Sequence, residues 1–115
     1  RKVLYKESQE YRIDGQDGIR APIGMSGVRL EANVHLVTGA AAAVQNVTKC
    51  IQRCGLTVDE LVPSAVASAK AVLTDDEREL GVCLVDIGAG TTDIAIYTQG
   101  SIRYTASLPV GGDQV

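Results

Sequence analysis

In Asp86-Ile87-Gly88-Ala89-Gly90-Thr91-Thr92-Asp93 a carboxylate closes an apolar run, and a short bend then carries two glycines, two hydroxyls and a second carboxylate. Glycines let backbone N–H groups approach a ligand without interference from a Cβ, a common way of holding phosphate oxygens. Thr91 and Thr92 add side-chain donors. Asp86 alone would repel a phosphate, and sits well beside one chiefly when Mg²⁺, usually through water, bridges the two. Where phosphate meets the mouth of a helix, such glycines open that helix. Here the next residues are Ile94-Ala95-Ile96-Tyr97-Thr98, a β-branched run, and the bend contains no Lys and lacks the G-x-x-x-x-G-K spacing. Walker and Rossmann readings are therefore excluded, and the bend is predicted to join two strands of a β-hairpin.

Outward from the hairpin, Val82–Ile87 reads as a continuous apolar, buried strand, Ile94–Thr98 as a second and Ile102–Leu108 as a third, with Gln99-Gly100 as the tight turn between the last two. Upstream, Thr74-Asp75-Asp76-Glu77 has capping-box form and starts a turn of helix ending at Gly81. The acidic residues there and Glu79 suit a solvated helix start. Pro63-Ser64 opens a helix over Ala65–Leu73, rich in small residues. Residues 56–62 are expected to form a short strand. Before them, Val44, Val47, Ile51 and Cys54 make one apolar stripe on a helix over Ala40–Cys54 that begins at Thr38-Gly39 and stops at Gly55. Val28, Leu30, Ala32, Val34 and Leu36 alternate with Arg29, Glu31, Asn33 and His35, which predicts a strand with one dry and one wet face. The wet face is either solvated or a partner surface, and His35 on it reads as exposed. Residues 14–27 read as loop, and residues 2–13 as a weak strand on which Val3, Tyr5, Tyr11 and Ile13 share a parity interrupted by Glu7 and Gln9.

The 115 residues carry 11 basic and 14 acidic side chains, a net charge of −3, which argues against a nucleic-acid binder. Hydrophobic residues make up 45%, enough for a core, yet the only aromatics are four tyrosines. That core must be built from Val, Leu, Ile and Ala, which suits sheets covered by helices. No apolar run approaches the length of a membrane span or a leader. With no starting Met, the chain reads as a soluble piece of a longer one. Cys50, Cys54 and Cys83 are an odd count without framework spacing, which points to a reducing cytoplasm. Cys50 and Cys54 lie four apart on one helical face without further ligands nearby, and Cys83 reads as a small core side chain. Gly111-Gly112-Asp113 is either an ordinary turn or a segment that approaches the ligand of the bend.

The strand–bend–strand pattern resembles the phosphate-binding hairpin of the actin-like ATPases, the superfamily of actin, the heat-shock chaperones and the sugar kinases. Gly81–Gly88, Leu73–Leu80, Arg53–Leu56 and Gly24–Leu30 narrow the resemblance to the FtsA family of bacterial cell-division proteins, over nearly the whole chain. The resemblance implies an α/β, partial actin-like (ribonuclease H-like) fold. Residues 1–56 would correspond to the inserted subdomain 1C (SHS2-like), 57–80 to a return to core subdomain 1A, and 81–115 to the first strands of subdomain 2A. It implies ATP and Mg²⁺ as ligands, with Asp86, Gly88, Gly90, Thr91 and Thr92 at the nucleotide, Asp86 toward the metal through water, and Asp93 closing the motif. Ala89 stands in the bend where the family usually has a third glycine. It further implies a parent protein, at most a weak ATPase, on the cytoplasmic face of the inner membrane at the division septum. That parent would polymerise, contact itself and divisome proteins through 1C, and tether FtsZ through parts outside these residues, reaching the membrane through a C-terminal helix. The fragment alone is expected to be inactive. A sugar- or acetate-type kinase and a PilM-like pilus scaffold share the hairpin and stand as alternatives.

Overall fold

The computed structural model describes residues 2–13, 16–19, 22–24, 27 and 29–115. Its elements run β1 (Lys2–Ile13), β2 (Gln16–Ile19), β3 (Leu30–Gly39), α1 (Ala41–Arg53), α2 (Ser64–Val72), α3 (Asp75–Leu80), β4 (Val82–Ile87), β5 (Thr92–Thr98) and β6 (Ser101–Leu108), with a 3₁₀ turn over Gly112–Gln114. The strands form two antiparallel sheets of mixed α/β architecture, β2-β1-β3 and β4-β5-β6.

The second sheet holds the core. Along α2 the small residues Ala65, Val66 and Ala69 lie flat against Leu84, Ala95, Tyr97 and Ile102, and all seven are buried. Alanines on both surfaces let helix and sheet approach closely, so Ile102 and Val66 become the largest fully buried side chains. Only one face of β4 is covered. Leu84 is buried, whereas Cys83, Val85 and Ile87 are exposed, so the expected buried strand is half-buried and Cys83 is not a core residue. The other two cysteines are exposed as well.

The chain turns from α3 into the sheet by a set of matched ends. Thr74 accepts from the Glu77 amide at 3.2 Å while the Glu77 carboxylate accepts from the Thr74 amide at 3.0 Å, a reciprocal capping box. These bonds hold the Glu77 carboxyl below the usual carboxylate range. At the other end, the amides of Gln99 and Gly100 donate to the carbonyls of Glu79 and Arg78 at 3.0 and 3.1 Å, so the β5–β6 turn closes the helix. Both turn residues have positive φ (53° and 77°), as a two-residue type I′ hairpin requires. The Arg78 guanidinium lies 5.6 Å from the centre of the Tyr97 ring and donates to the Ala69 carbonyl at 2.8 Å, pinning the end of α2 to β5.

The first sheet departs from the sequence pattern in three ways. Within the expected loop, Gln16–Ile19 is a strand that pairs with the end of β1. Positions 14, 15, 20, 21, 25, 26 and 28 lie outside the described residues. Next, β1 carries an extra residue at Leu4 and at Gln9 relative to β3, and each bulge reverses the parity of the residues beyond it. Val3, Tyr11 and Ile13 therefore share the face of Leu30–Leu36, while Tyr5 and Glu7 stand on the other with Val37 and His35. Finally, the dry and wet faces are exchanged. Leu30 (61%), Val34 (43%) and Leu36 (54%) are exposed, and His35 is half-buried with Nε2 3.1 Å from Thr105 Oγ1 of β6. His35 is thus not a free surface side chain, although Asn33 is exposed.

The reason is that β6 is an edge strand whose outward groups need partners. Gln9 Nε2 donates to the Ile102 carbonyl at 2.8 Å, the Ile102 amide donates to Glu7 at 3.3 Å, and Ser101 Oγ donates to the Gln9 carbonyl at 2.9 Å. The polar residues that interrupt β1 are those that satisfy this edge.

Thr38 and Gly39 end β3 rather than opening a helix, and α1 has no side-chain N-cap. Of its expected buried stripe only Val44 is buried. Val47 is 59% exposed, and Ile51 and Cys54 are exposed. No strand forms over residues 56–62. The radius of gyration is 17.1 Å, against about 13 Å for a compact chain of this length. No helix among the described residues is long and apolar enough to cross a membrane.

The buried core and the half-buried phenol of β1 each set a measurable stability. Ile102→Ala removes a fully buried side chain and should cost about 2–4 kcal/mol in urea unfolding of the 115-residue chain. Burial and the bond to Glu7 push the Tyr5 phenol up to about 12. Below pH 10 both folded and unfolded chains keep that proton; above it the unfolded chain releases it first, so stability falls as pH rises from 10 toward 12. A circular-dichroism titration of Tyr5→Phe should show a shallower alkaline loss.

Candidate functional site

The bend joins two paired strands. Asp86 lies opposite Asp93 and Ile87 opposite Thr92, and the Gly88 amide donates to the Thr91 carbonyl at 2.9 Å, leaving a four-residue loop over 88–91. No helix follows, since β5 starts at Thr92. All four loop residues are exposed. Gly88, Ala89 and Gly90 all keep φ outside the left-handed region, so the alanine at 89 brings no backbone strain.

The carbonyl side of this loop is fastened to the segment after β6. Gly112 donates to the Gly88 carbonyl at 2.8 Å and Asp113 to the Ala89 carbonyl at 2.9 Å. Thr92 Oγ1 donates to the Val110 carbonyl at 2.7 Å. Gly111 passes so close that a Cβ there would lie 2.5 Å from the Gly88 carbonyl oxygen and 2.6 Å from that of Ala89. Its φ of −160° is ordinary extended backbone, so the lack of a side chain serves close approach, not an unusual dihedral angle. With the carbonyls held on one side, the amides of Ala89, Gly90 and Thr91 donate to no described residue. The Thr91 hydroxyl is likewise without a described partner, whereas the single O–H of Thr92 is committed to Val110. From the sequence Gly111-Gly112-Asp113 could be an ordinary turn. The small pair after an apolar strand was the available signal, and only the fold shows what it touches.

Asp86 and Asp93 point to the face covered by α2. Ser68 Oγ donates to Asp86 Oδ2 at 2.9 Å and Ser64 Oγ to Asp93 Oδ2 at 2.7 Å. Like charges directly opposite across two strands are unfavourable, and two hydroxyl donors one helical turn apart offset this. Reading α2 as merely small overlooks the four-residue spacing of these serines. Beside Asp93 lies an open cleft of about 440 Å³, lined by Thr38, Ser64, Thr105 and Ser107 among others. Residues 88–91 do not line it. Among the described residues no three His, Cys, Asp or Glu side chains gather as a metal cluster.

Comparison with known proteins gives two family matches, the SHS2 domain inserted in FtsA over residues 1–38 and the cell division protein FtsA over residues 83–115. The chain is 62% identical over 114 residues to cell division protein FtsA of Pseudomonas aeruginosa, 57% to that of Neisseria meningitidis and 53% to that of Escherichia coli. Each alignment takes in 99% of this chain and 27–28% of the relative.

Gly111→Ala should displace the loop, shifting the amide resonances of residues 88–91 and 112–113 and costing about 1–3 kcal/mol in unfolding. Gly112→Ala, whose Cβ would stand 3.6 Å from the Gly88 carbonyl oxygen, should stay within about 0.5 kcal/mol.

Proposed function

The chain belongs to the FtsA family of cell-division proteins, of whose curated relatives it spans about 27% of the length, and from that premise we propose that the 88–91 loop holds phosphates of ATP in an actin-like nucleotide cleft. The observation that carries the reading is the one-sided loop. Its carbonyls are engaged by residues 112 and 113, and the amides of Ala89, Gly90 and Thr91 are exposed without partners among the described residues. An array of unengaged N–H donors beside a hydroxyl suits an anion and offers little to a cation. The donor set therefore fits phosphate oxygens.

On this reading Gly88, Ala89, Gly90 and Thr91 face the nucleotide, and Thr92 and Asp93 support the bend through Val110 and Ser64. Asp86 would hold Mg²⁺ through water, and the metal supplies neutralisation of phosphate charge when bound. Residues 1–56 correspond to inserted subdomain 1C, 57–80 to a return to 1A, and 81–115 to the opening of 2A. The whole protein would use ATP to govern contacts between its own copies, polymerise at the inner membrane on its cytoplasmic side, and link FtsZ and other divisome proteins to it. Surfaces of 1C would serve self-association. One hairpin clamps only part of a nucleotide, so this stretch by itself has no useful ATP affinity.

Asp86→Ala in the full-length protein is the test. Mg·ATP affinity should fall about tenfold or more, by about 1.4 kcal/mol or more, while the circular-dichroism melt changes little. An unchanged affinity with a normal melt would sink the assignment.

A further inference from the structure

Ser68 lies in the second turn of α2, between Ala65 and Ala69, on the face packed against β4 and β5. Those alanines bring the helix near enough for a one-carbon hydroxyl to reach Asp86 Oδ2 at 2.9 Å. Inside a helix a serine ordinarily competes with the backbone by bonding to the carbonyl one turn back, as Thr48 does to Val44 in α1 at 3.0 Å. Ser68 instead donates to a carboxylate on another element. One turn earlier Ser64 does the same for Asp93, so a single helix face addresses both carboxylates that end the hairpin strands.

A donor on one oxygen selects the rotamer of an aspartate. Without it, Asp86 would stand opposite Asp93 with only their mutual repulsion to orient it. With it, Oδ2 is held toward α2 and Oδ1 has no described partner. We propose that Ser68 is a positioning residue for Asp86, fixing the carboxylate so that its other oxygen is presented to the hydrated cation that accompanies the phosphates. This rests on the reading of the hairpin as a phosphate site. Ser68 need not touch the nucleotide. Its effect is carried by Asp86 and is confined to conditions in which the cation is present.

The experiment uses the full-length protein and a fluorescent ATP analogue, titrated in Mg²⁺ and in EDTA, with a thermal melt of each variant. Ser68→Ala should weaken binding in Mg²⁺ by about three- to tenfold, a part of the full value of a hydrogen bond to a charged group because the effect reaches the cation only through Asp86, and leave binding in EDTA unchanged. Ser68→Thr, which keeps the hydroxyl, should stay within about twofold of the parent in both conditions. Should Ser68→Ala fail to fold, Ser68→Cys, similar in size but a weak donor, takes its place with the same expected result. An equal loss with and without Mg²⁺, or an equal loss in Ser68→Thr, would reduce Ser68 to a packing residue and overturn the proposal. If Asp86→Ala weakens Mg²⁺-dependent binding while Ser68→Ala does not, the positioning role alone falls. If neither has an effect, the phosphate reading falls with it.

Discussion

Two carbonyl oxygens, those of Gly88 and Ala89, are held by the amides of Gly112 and Asp113, and the orientation of the whole bend depends on this clasp. A peptide unit points its N–H and C=O in opposite directions. Fixing the carbonyls against the segment after β6 therefore leaves neighbouring amides on the outer side. The clasp forms only because residue 111 has no side chain, since a single methyl would occupy the space of the loop carbonyls. Sequence-distant segments thus meet at backbone level, and that meeting sets the direction in which the amides of the loop point.

Under the hairpin, α2 has two tasks that its composition makes compatible. Ala65, Val66 and Ala69 supply close packing against Leu84, Ala95, Tyr97 and Ile102, while Ser64 and Ser68 supply donors for Asp93 and Asp86. Larger side chains would lift the helix beyond the reach of a serine. The same closeness places the Ala69 carbonyl within 2.8 Å of the Arg78 guanidinium, which joins the helix end to Tyr97. Packing and polar contacts here are consequences of one short helix–sheet distance.

The two ends of the chain are unlike in how they use apolar residues. Around β4–β6 they form a buried core. In β3 and α1 much of the apolar surface is left open among the described residues, with Leu30, Leu36 and Val47 more than half exposed. Tyr5 of the first sheet packs against that core, and the sheet otherwise meets the edge of β6 through polar contacts from Glu7, Gln9 and His35. An unpaired strand edge has fixed hydrogen-bonding demands, and meeting them decided which face of β1 and β3 turns inward.

Local information in the sequence determined the elements whose causes are local. The bend of the hairpin, the Thr74–Glu77 capping box, the Gln99-Gly100 turn and the start of α2 near Pro63 depend on residues within a few positions, and each is where its pattern places it. The exchanged faces of β3, the bulges at Leu4 and Gln9, and the strand at Gln16–Ile19 depend on pairing partners, and periodicity carries no record of which partner a strand will meet. Residues 56–62 form no strand for the same reason, because their apolar side chains find no neighbouring strand. At the site, the types of residue were legible while their orientation was not. Tertiary structure alone decided that Thr92 bonds Val110, that two serines hold the carboxylates, and that Gly111 gives its space to the loop, because each of these is a distance between segments that the chain order keeps apart.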